Sequence, residues 1–250
     1  MMKKKKDMAA AEQAPKGAAG RARAAAREES RRLKAEAEAS RLAALMAREA
    51  ELREAGYQAV AGLDEAGRGP LAGPVVAGAV ILRPGSAFAG LNDSKKVTLA
   101  NRLRLEAEIK AGAAAWAVGL ASPEEIDRLN ILGATKLAME RALQALSLKL
   151  APDYLLLDAL RLPSDLPQEG IIKGDAKVAC IAAASILAKT CRDRIMAELD
   201  EAYPGYGFAR HKGYPTAAHR QAVLELGPSP VHRQSFLSFY EREKQQLQLF

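Results

Sequence analysis

Cysteine is nearly absent from this chain. Its 250 residues hold two, Cys180 and Cys191. On one helix that spacing is about three turns, which puts both on one face roughly 16 Å apart. A disulfide needs Cα atoms within about 7 Å, so the two cannot pair, and their spacing fits no zinc motif. Two buried thiols are expected. Long apolar runs are missing too: nothing approaches the ~20 residues that span a bilayer. The opening MMKKKKDMAAAEQAPKG is basic, but no apolar segment follows it, so a secretory signal is not expected. A cytoplasmic, monomeric protein without a membrane partner is the expectation. A basic body is also lacking, although the net charge is +7. Residues 1–50 carry 13 Lys and Arg against 7 Asp and Glu, and the remaining residues carry 24 against 23. Any nucleic-acid binding by the body must therefore use local patches rather than overall charge.

The chain divides by texture into residues 1–56, 57–205 and 206–250. Residues 1–20 offer little to bury and are expected to be disordered. Residues 21–55 are rich in Ala, Arg, Glu and Leu and predict one helix, exposed over much of its length, with alternating charges that suit a solvated face. Beyond Tyr57, strands are expected at Gln58–Leu63, Val75–Leu82 and Ala113–Leu120, joined by short links as an antiparallel meander. A helix is expected from about Thr98 to Lys110. Ser122-Pro123-Glu124-Glu125 reads as a helix start, with the helix running to about Lys149 and broken near Gly133. Further strands are expected at Asp153–Asp158 and Ile171–Lys173, around the loop LPSDLPQEG. Asp175 is expected to cap a long helix, and the last 45 residues to hold a Gly/Tyr-rich loop and one or two short helices. The order predicts an α/β fold in which helices cover a mixed sheet.

In AGLDEAGRGPLAGPVVAGAVIL, residues 61–82, two adjacent acids interrupt small apolar residues. Asp64 and Glu65 end one strand, Asp158 ends DYLLLD, and Asp175 follows IIKG. An acid that closes an apolar strand does no packing and is costly to bury unpaired, while strand ends are where sites in such sheets are built. The glycines at 67 and 69 let backbone N–H groups approach a ligand and could turn both acids to one face. Carboxylates without His or Cys nearby select hard cations, Mg²⁺ or Mn²⁺. Carboxylates from separate elements around two such ions are a common phosphoryl-transfer arrangement.

GLDEAGRGPLAGPVVAGAVIL, NDSKK, YLLLDA, IIKGDAKVACIAAASILAKTCRD, YPGYGFARHKGYPT and HRQSF, in that order, resemble type 2 ribonuclease H, and most closely bacterial ribonuclease HII. The likeness runs from about Gly56 to Phe236. It implies a ribonuclease-H-like mixed five-stranded sheet flanked by helices, with an N-terminal helical extension and a small C-terminal helical part. It also implies a two-metal endonuclease using Mn²⁺ or Mg²⁺. Its substrates would be RNA–DNA hybrids and single ribonucleotides in duplex DNA, cut on the 5′ side to leave 3′-hydroxyl and 5′-phosphate ends. The family carboxylates fall on Asp64, Glu65, Asp158 and Asp175, with Asp64 bridging both ions, Glu65 and Asp158 completing one site and Asp175 the other. The resemblance places contacts to the ribose 2′-hydroxyl on Gly67, Arg68 and Gly69, phosphate contacts on Ser94, Lys95 and Lys96, and packing against the deoxyribose beyond the junction on Tyr214. One departure is Asp158-Ala159, where many relatives have Asp-Gly.

The final QLQLF, with Gln246, Leu247, Leu249 and Phe250, resembles the short peptides by which bacterial replication and repair proteins dock in a sliding clamp. The alternative is that its apolar residues fold back onto the body.

Overall fold

The computed structural model describes residues 14–86, 88–95 and 97–247. The chain falls into two units, Met1–Ala43 and Ala44–Phe250. A single helix, α1 (Ala14–Glu54), begins in the first and ends in the second. Helix therefore occupies residues 14–20, which composition alone assigned to disorder: Ala-rich sequence extends a helix readily once one is nucleated. The expectation for residues 1–13 lies outside the described residues. Within the first unit residues 25–37 are exposed and carry local ion pairs such as Arg32–Glu29 at 2.8 Å.

In the second unit, strands β1 (Val60–Ala66), β2 (Val75–Ile81), β3 (Ala115–Ala121), β4 (Tyr154–Asp158) and β5 (Gln168–Ile171) form one sheet in the order β3-β2-β1-β4-β5. The first three make the expected antiparallel meander. β1 and β4, and then β4 and β5, pair in parallel. The last strand thus lies earlier than expected, inside the segment read as loop, because Gln168–Ile171 lies alongside Leu155–Asp158. Gln168 also ties its side chain to Leu162 and Ser164.

The meander is poor in side-chain bulk because helices lie directly on it. α4 (Ala179–Ala202) covers one face so closely that a Cβ on Gly62 would stand 2.2 Å from the Cys180 carbonyl carbon, and one on Gly78 would stand 2.3 Å from the Ala184 oxygen. On the other face α3 (Pro123–Ser147) presses the Ala138 oxygen to 2.3 Å of a Cβ built on Gly119. Between α3 and the sheet lies a core of Ala61, Leu63, Ala77, Ile81, Met139, Leu155 and Leu157. α3 starts as predicted, with Ser122 and Glu125 in a reciprocal capping box. Its break falls at Asn130 (φ 57°) rather than at Gly133. There the Asn130 side chain accepts from the N–H groups of Leu132 and Gly133 and starts the helix afresh.

α2 (Leu99–Gly112) is capped by Thr98. Both cysteines lie on α4 and are free; Cys180 is buried, whereas Cys191 is only half-buried. Near the end of the chain come α5 (Phe208–His211), α6 (Ala217–Leu226) and α7 (Ser238–Leu247). They surround a second core built on Phe208, Val223, Leu237 and Phe239.

The last three turns of α1 pack in the second unit. Leu45 and Leu52 are buried there, and Glu49 is 1% exposed. A Glu49 carboxylate oxygen accepts from the Cys180 N–H in the first turn of α4. Burial raises the Glu49 carboxyl to about 7 despite that hydrogen bond. The solvated face read from sequence describes residues 20–40 and stops short of this segment.

Candidate active site

Three carboxylates converge. Asp64 near the end of β1, Asp158 at the end of β4 and Asp175 each place an oxygen within 4.8 Å of the other two. Asp175 is not the cap expected of it. It sits in a 3₁₀ turn, Gly174–Ala176, ahead of α4, and Val178 occupies the cap position without a side-chain bond. The turn's first N–H, on Gly174, donates to Asp158 at 2.8 Å, so one acid fixes the segment that carries another. Two residues beside the cluster hold left-handed backbone, Ala159 (φ 53°) and Lys173 (φ 58°). Glycine tolerates that region and alanine does so at roughly 1–2 kcal/mol, which explains physically why Asp-Gly is the easier pairing at 158–159.

Glu65 stands outside the three-oxygen group. Asp64 and Glu65 stay in strand register opposite Gly78 and Ala77, yet the Glu65 charge acts on Asp64 and the Asp158 charge acts on Glu65. Glu65 Oε1 meets Arg68 at 3.4 Å, while Oε2 is buried with no hydrogen-bond partner among the described residues. An orphaned carboxylate oxygen beside three oxygens of the same hard type, with no His or Cys in the cluster, fits a divalent cation.

The electrostatics agree with a site made to receive positive charge. Asp64 is 4% exposed. Burial, and then the charges of Glu65 and Asp158, raise its carboxyl well above the usual range, against hydrogen bonds from Ser185 and the Glu65 N–H. Burial raises Glu65 as well, with Arg68 opposing. Asp175 is raised by burial and by Asp93, an acid of the NDSKK segment to which the sequence reading gave no role. Lys95 Nζ lies 3.9 Å from Asp175. Burial works against its charge, but Asp93, Asp175, Asp64 and Asp158 outweigh it and its ammonium is held above the ordinary value. Lys96 lies outside the described residues.

A cleft of about 520 Å³ opens beside the acids, lined by Glu65, Gly67, Arg68, Gly69, Ser94, Lys95, Ser185, Lys189 and Tyr214 among others. Every described residue assigned to substrate contact therefore faces one space. Ser94 is largely sequestered, its hydroxyl 3.0 Å from that of Ser185. Tyr214 is 42% exposed, and a Cβ on Gly69 would lie 3.8 Å from its ring. A second opening of about 510 Å³ is lined by Asp93, Lys95, Asp158, Lys173 and Asp175.

Sequence reasoning missed what holds the glycine loop. Two buried arginines, Arg192 on α4 and Arg233, have backbone carbonyls as their hydrogen-bond partners. Arg233 donates to the oxygens of Gly67 (2.6 Å), Arg68 (2.9 Å) and Gly73. Arg192 donates to Pro74, Ala72 and Lys212. Burial lowers the two guanidinium pKa values, to about 9 for Arg233 and about 10 for Arg192, which leaves both charged at neutral pH. In a trans peptide the C=O and N–H point opposite ways. With the Gly67 and Arg68 oxygens turned in to Arg233, the N–H groups of Arg68 and Gly69 point away from it. Asp127 pins Arg233's own segment by accepting from the Gln234 and Ser235 N–H groups, both at 2.9 Å. Arginine was visible in both motifs, but nothing in the pattern marked these two as buried.

Gln246 and Leu247 end α7, so helix runs into the first residues of QLQLF. Leu249 and Phe250 lie outside the described residues.

The family model described as Ribonuclease HII matches residues 61–239. A ribonuclease HII of Desulfitobacterium hafniense is 57% identical over 200 residues, covering 80% of this chain and 76% of that protein. Among solved structures, the ribonuclease H2 of Pyrococcus horikoshii is 28% identical with a TM-score of 0.60, covering 74% of this chain and 98% of that one. The ribonuclease HII of Archaeoglobus fulgidus, solved in a complex with PCNA, is 25% identical with a TM-score of 0.58, over 72% and 94%.

Proposed function

The chain belongs to the ribonuclease HII family and is an endoribonuclease acting on RNA–DNA hybrids, and from that premise we propose that it also incises duplex DNA at single ribonucleotides, using Asp64, Glu65, Asp158 and Asp175. The observation that carries this reading is the meeting of two features at one cleft. Three carboxylates from separate elements lie within 4.8 Å of one another, and the Gly67–Gly69 backbone lines the adjoining space.

Bound Mg²⁺ or Mn²⁺ would supply Lewis acidity at the scissile phosphate and a nucleophile at neutral pH. The chain's own residues do the rest. Asp64, Asp158 and Asp175 would hold positive charge in a fixed position, and Glu65 would add its unpartnered oxygen from the cleft side. The N–H groups of Arg68 and Gly69 read the 2′-hydroxyl, the group that separates RNA from DNA. Lys95 and Ser94 meet the backbone phosphate, with Lys96 assigned beside them. Tyr214 packs on the deoxyribose beyond the junction, which lets one ribonucleotide be recognised within DNA. In this reading residues 57–205 form the catalytic core, residues 206–250 complete the substrate surface and residues 1–56 are an extension. The enzyme works as a single chain in the cytoplasm, where the two free thiols stay reduced.

A test uses end-labelled duplex DNA carrying one ribonucleotide, with Mg²⁺ or Mn²⁺. The expected product is a single cut on the 5′ side, leaving a 3′ end that a polymerase extends. Cleavage of long hybrids without incision at the single ribonucleotide refutes the junction reading, and no incision with either metal refutes the site.

We further propose that Gln246, Leu247, Leu249 and Phe250 dock in a sliding clamp, an idea supported by the PCNA complex of the archaeal relative. Replacing Leu249 and Phe250 with Ala should abolish clamp binding in titration calorimetry and leave cleavage of a short duplex unchanged. Binding that survives the replacement rejects the tail as the docking element.

A further inference from the structure

We propose that His219 and His232 are positioning residues for nucleic-acid recognition: they form a one-way hydrogen-bond relay that runs from Ser229 to the Tyr214 carbonyl and sets the tyrosine ring against Gly69. The proposal rests on the reading of Tyr214 as a junction contact.

The direction of the relay follows from what each partner can do. The Tyr214 carbonyl only accepts, and His219 Nδ1 lies 2.9 Å from it, so that nitrogen carries the proton. At the other end the Ser229 N–H donates to His232 Nδ1 at 2.9 Å, so that nitrogen is bare. A neutral His232 must then carry its proton on Nε2, which lies 3.0 Å from His219 Nε2. His219 Nε2 is bare because its own proton sits on Nδ1. Each donor therefore faces an acceptor, Ser229 to His232 to His219 to Tyr214, and no other pair of neutral tautomers satisfies all three contacts. Both rings are sequestered, His219 at 0% and His232 at 2% exposure. Burial lowers the pKa of each, which keeps the tautomers neutral.

The rest of the grip is aimed at the same peptide. The Tyr214 carbonyl takes a second bond from the Thr216 N–H at 2.8 Å, so both its lone pairs are used. The Tyr214 N–H donates to the His211 carbonyl at 3.0 Å. His211 stacks on His219 with ring centroids 4.3 Å apart and accepts from the Gly213 N–H through Nδ1. The turn thus held is joined to the glycine loop by the Leu71 N–H, which donates to the Gly213 carbonyl at 2.8 Å. A buried polar chain that ends on the backbone of an exposed, cleft-lining aromatic has little use as core packing. It fixes one φ/ψ setting for the residue whose ring closes the cleft.

The test compares cleavage of a single-ribonucleotide duplex with cleavage of a long hybrid, as a ratio of kcat/KM values, in the full-length enzyme. His219→Met keeps the bulk and removes the donor. The ratio should fall by about five- to tenfold, the factor expected of one positioned hydrogen bond, with hybrid cleavage within about twofold of wild type. His219→Asn retains an N–H at the Nδ1 position and should recover most of the ratio. His232→Met keeps the His219 Nδ1–H on the Tyr214 carbonyl but strands the bare His219 Nε2 without its donor; the loosened ring should lower the ratio in the same direction as His219→Met but by less, which keeps the idea testable if His219→Met does not fold. Tyr214→Ala is run beside them. If it lowers both substrates equally, the reading of Tyr214 fails. If it lowers the ratio while the folded histidine variants keep the wild-type value, or if His219→Asn folds but recovers nothing, the relay is not a positioning device and the proposal is overturned.

Discussion

Asp64→Asn should make the metal-free protein more stable while it destroys activity. The three carboxylates of the site lie within 4.8 Å of one another. Two full charges at that separation repel by about 3.5 kcal/mol at an effective dielectric constant of 20. The native site relaxes part of this by holding the Asp64 and Asp175 protons more tightly, which is why burial and neighbouring acids raise both groups. Removing one charge should then recover about 2 kcal/mol at neutral pH. For a chain of this size that is a rise in Tm of roughly 4–8 °C in EDTA. The asparagine oxygen can still accept from the Glu65 N–H, so the fold loses no hydrogen bond of that kind. The pH dependence has a definite sign. A carboxyl with a raised pKa binds its proton better in the folded state, so its contribution is favourable at low pH and lost as pH rises above the ordinary value near 4. The advantage of the asparagine should therefore grow from pH 4 towards neutrality. Metal reverses the ranking: a cation at 100 times its Kd stabilises the wild type by about 2.7 kcal/mol, and the variant should gain almost nothing. Differential scanning fluorimetry with EDTA, Mg²⁺ and Mn²⁺ measures all of this. A variant that melts at or below the wild-type temperature in EDTA, or gains equally from metal, would refute the account.

Removing residues 1–40 should leave the melt of the second unit unchanged within about 0.5 kcal/mol, whereas removing 1–54 should cost about 5 kcal/mol. The larger deletion exposes the sites of Leu45 and Leu52, at ~1.5–3 kcal/mol each, and strands the Cys180 N–H that Glu49 accepts from; urea titration of both truncations decides, and equal stability rejects the packed role of 44–54. His232 is held near 4 against an ordinary 6.5. Its stabilising contribution is complete above 6.5 and lost as pH falls towards 4, a total of about 3 kcal/mol at up to ~1.4 kcal/mol per pH unit, so wild type minus His232→Asn in urea should shrink across that window. Arg233→Lys offers one ammonium to carbonyls that the guanidinium fork reaches at once, and kcat/KM should fall by more than tenfold on both substrates; a drop below twofold in a folded variant would remove Arg233 from the support of the loop.

The fold was legible wherever residue type and spacing carry the physics. The meander, the capping box at Ser122 and the acids at the ends of β1 and β4 follow from small apolar strands, one N-cap pattern and the cost of burying an unpaired carboxylate. β5 was misplaced because QEGI alternates nothing apolar; the parallel partner at Leu155–Asp158 makes it a strand. Asp175 was read as a helix cap as well as an acid of the metal set, because Gly-Asp-Ala before a helix has that form; an interposed 3₁₀ turn removes the cap role and leaves the acid in the cluster. Glu49 and the last turns of α1 were hidden by alternating charge, which suits a solvated helix until one carboxylate meets the N-terminus of α4. Arg192, Arg233 and the histidine pair carried no signal of burial. The arginines find backbone carbonyls supplied by folding from distant segments, and the histidines find each other, the Tyr214 carbonyl and Ser229.

Those hidden residues bear on how a recognition loop can present N–H groups to a sugar. A glycine-rich loop is the natural place for backbone to approach a ligand, but its freedom is also its weakness, since an unrestrained loop loses conformational entropy when it binds. The restraint must come without side chains that would fill the approach. In this protein it comes from behind. Two guanidiniums, buried at a cost only hydrogen bonds can offset, gather the carbonyls of 67, 68, 72, 73 and 74, and the opposed N–H groups of Arg68 and Gly69 follow by peptide geometry. The space taken by Arg192 is the reason Gly67 carries no side chain: a Cβ there would lie 2.1 Å from Nε. The same logic sets Tyr214 from below through its carbonyl and leaves the ring free. The carboxylates are placed by strand ends and a turn, the recognition backbone by buried cations, and the aromatic by a histidine chain. The three supports share almost no residues, so damage to one should change specificity or chemistry separately rather than collapse the site as a whole.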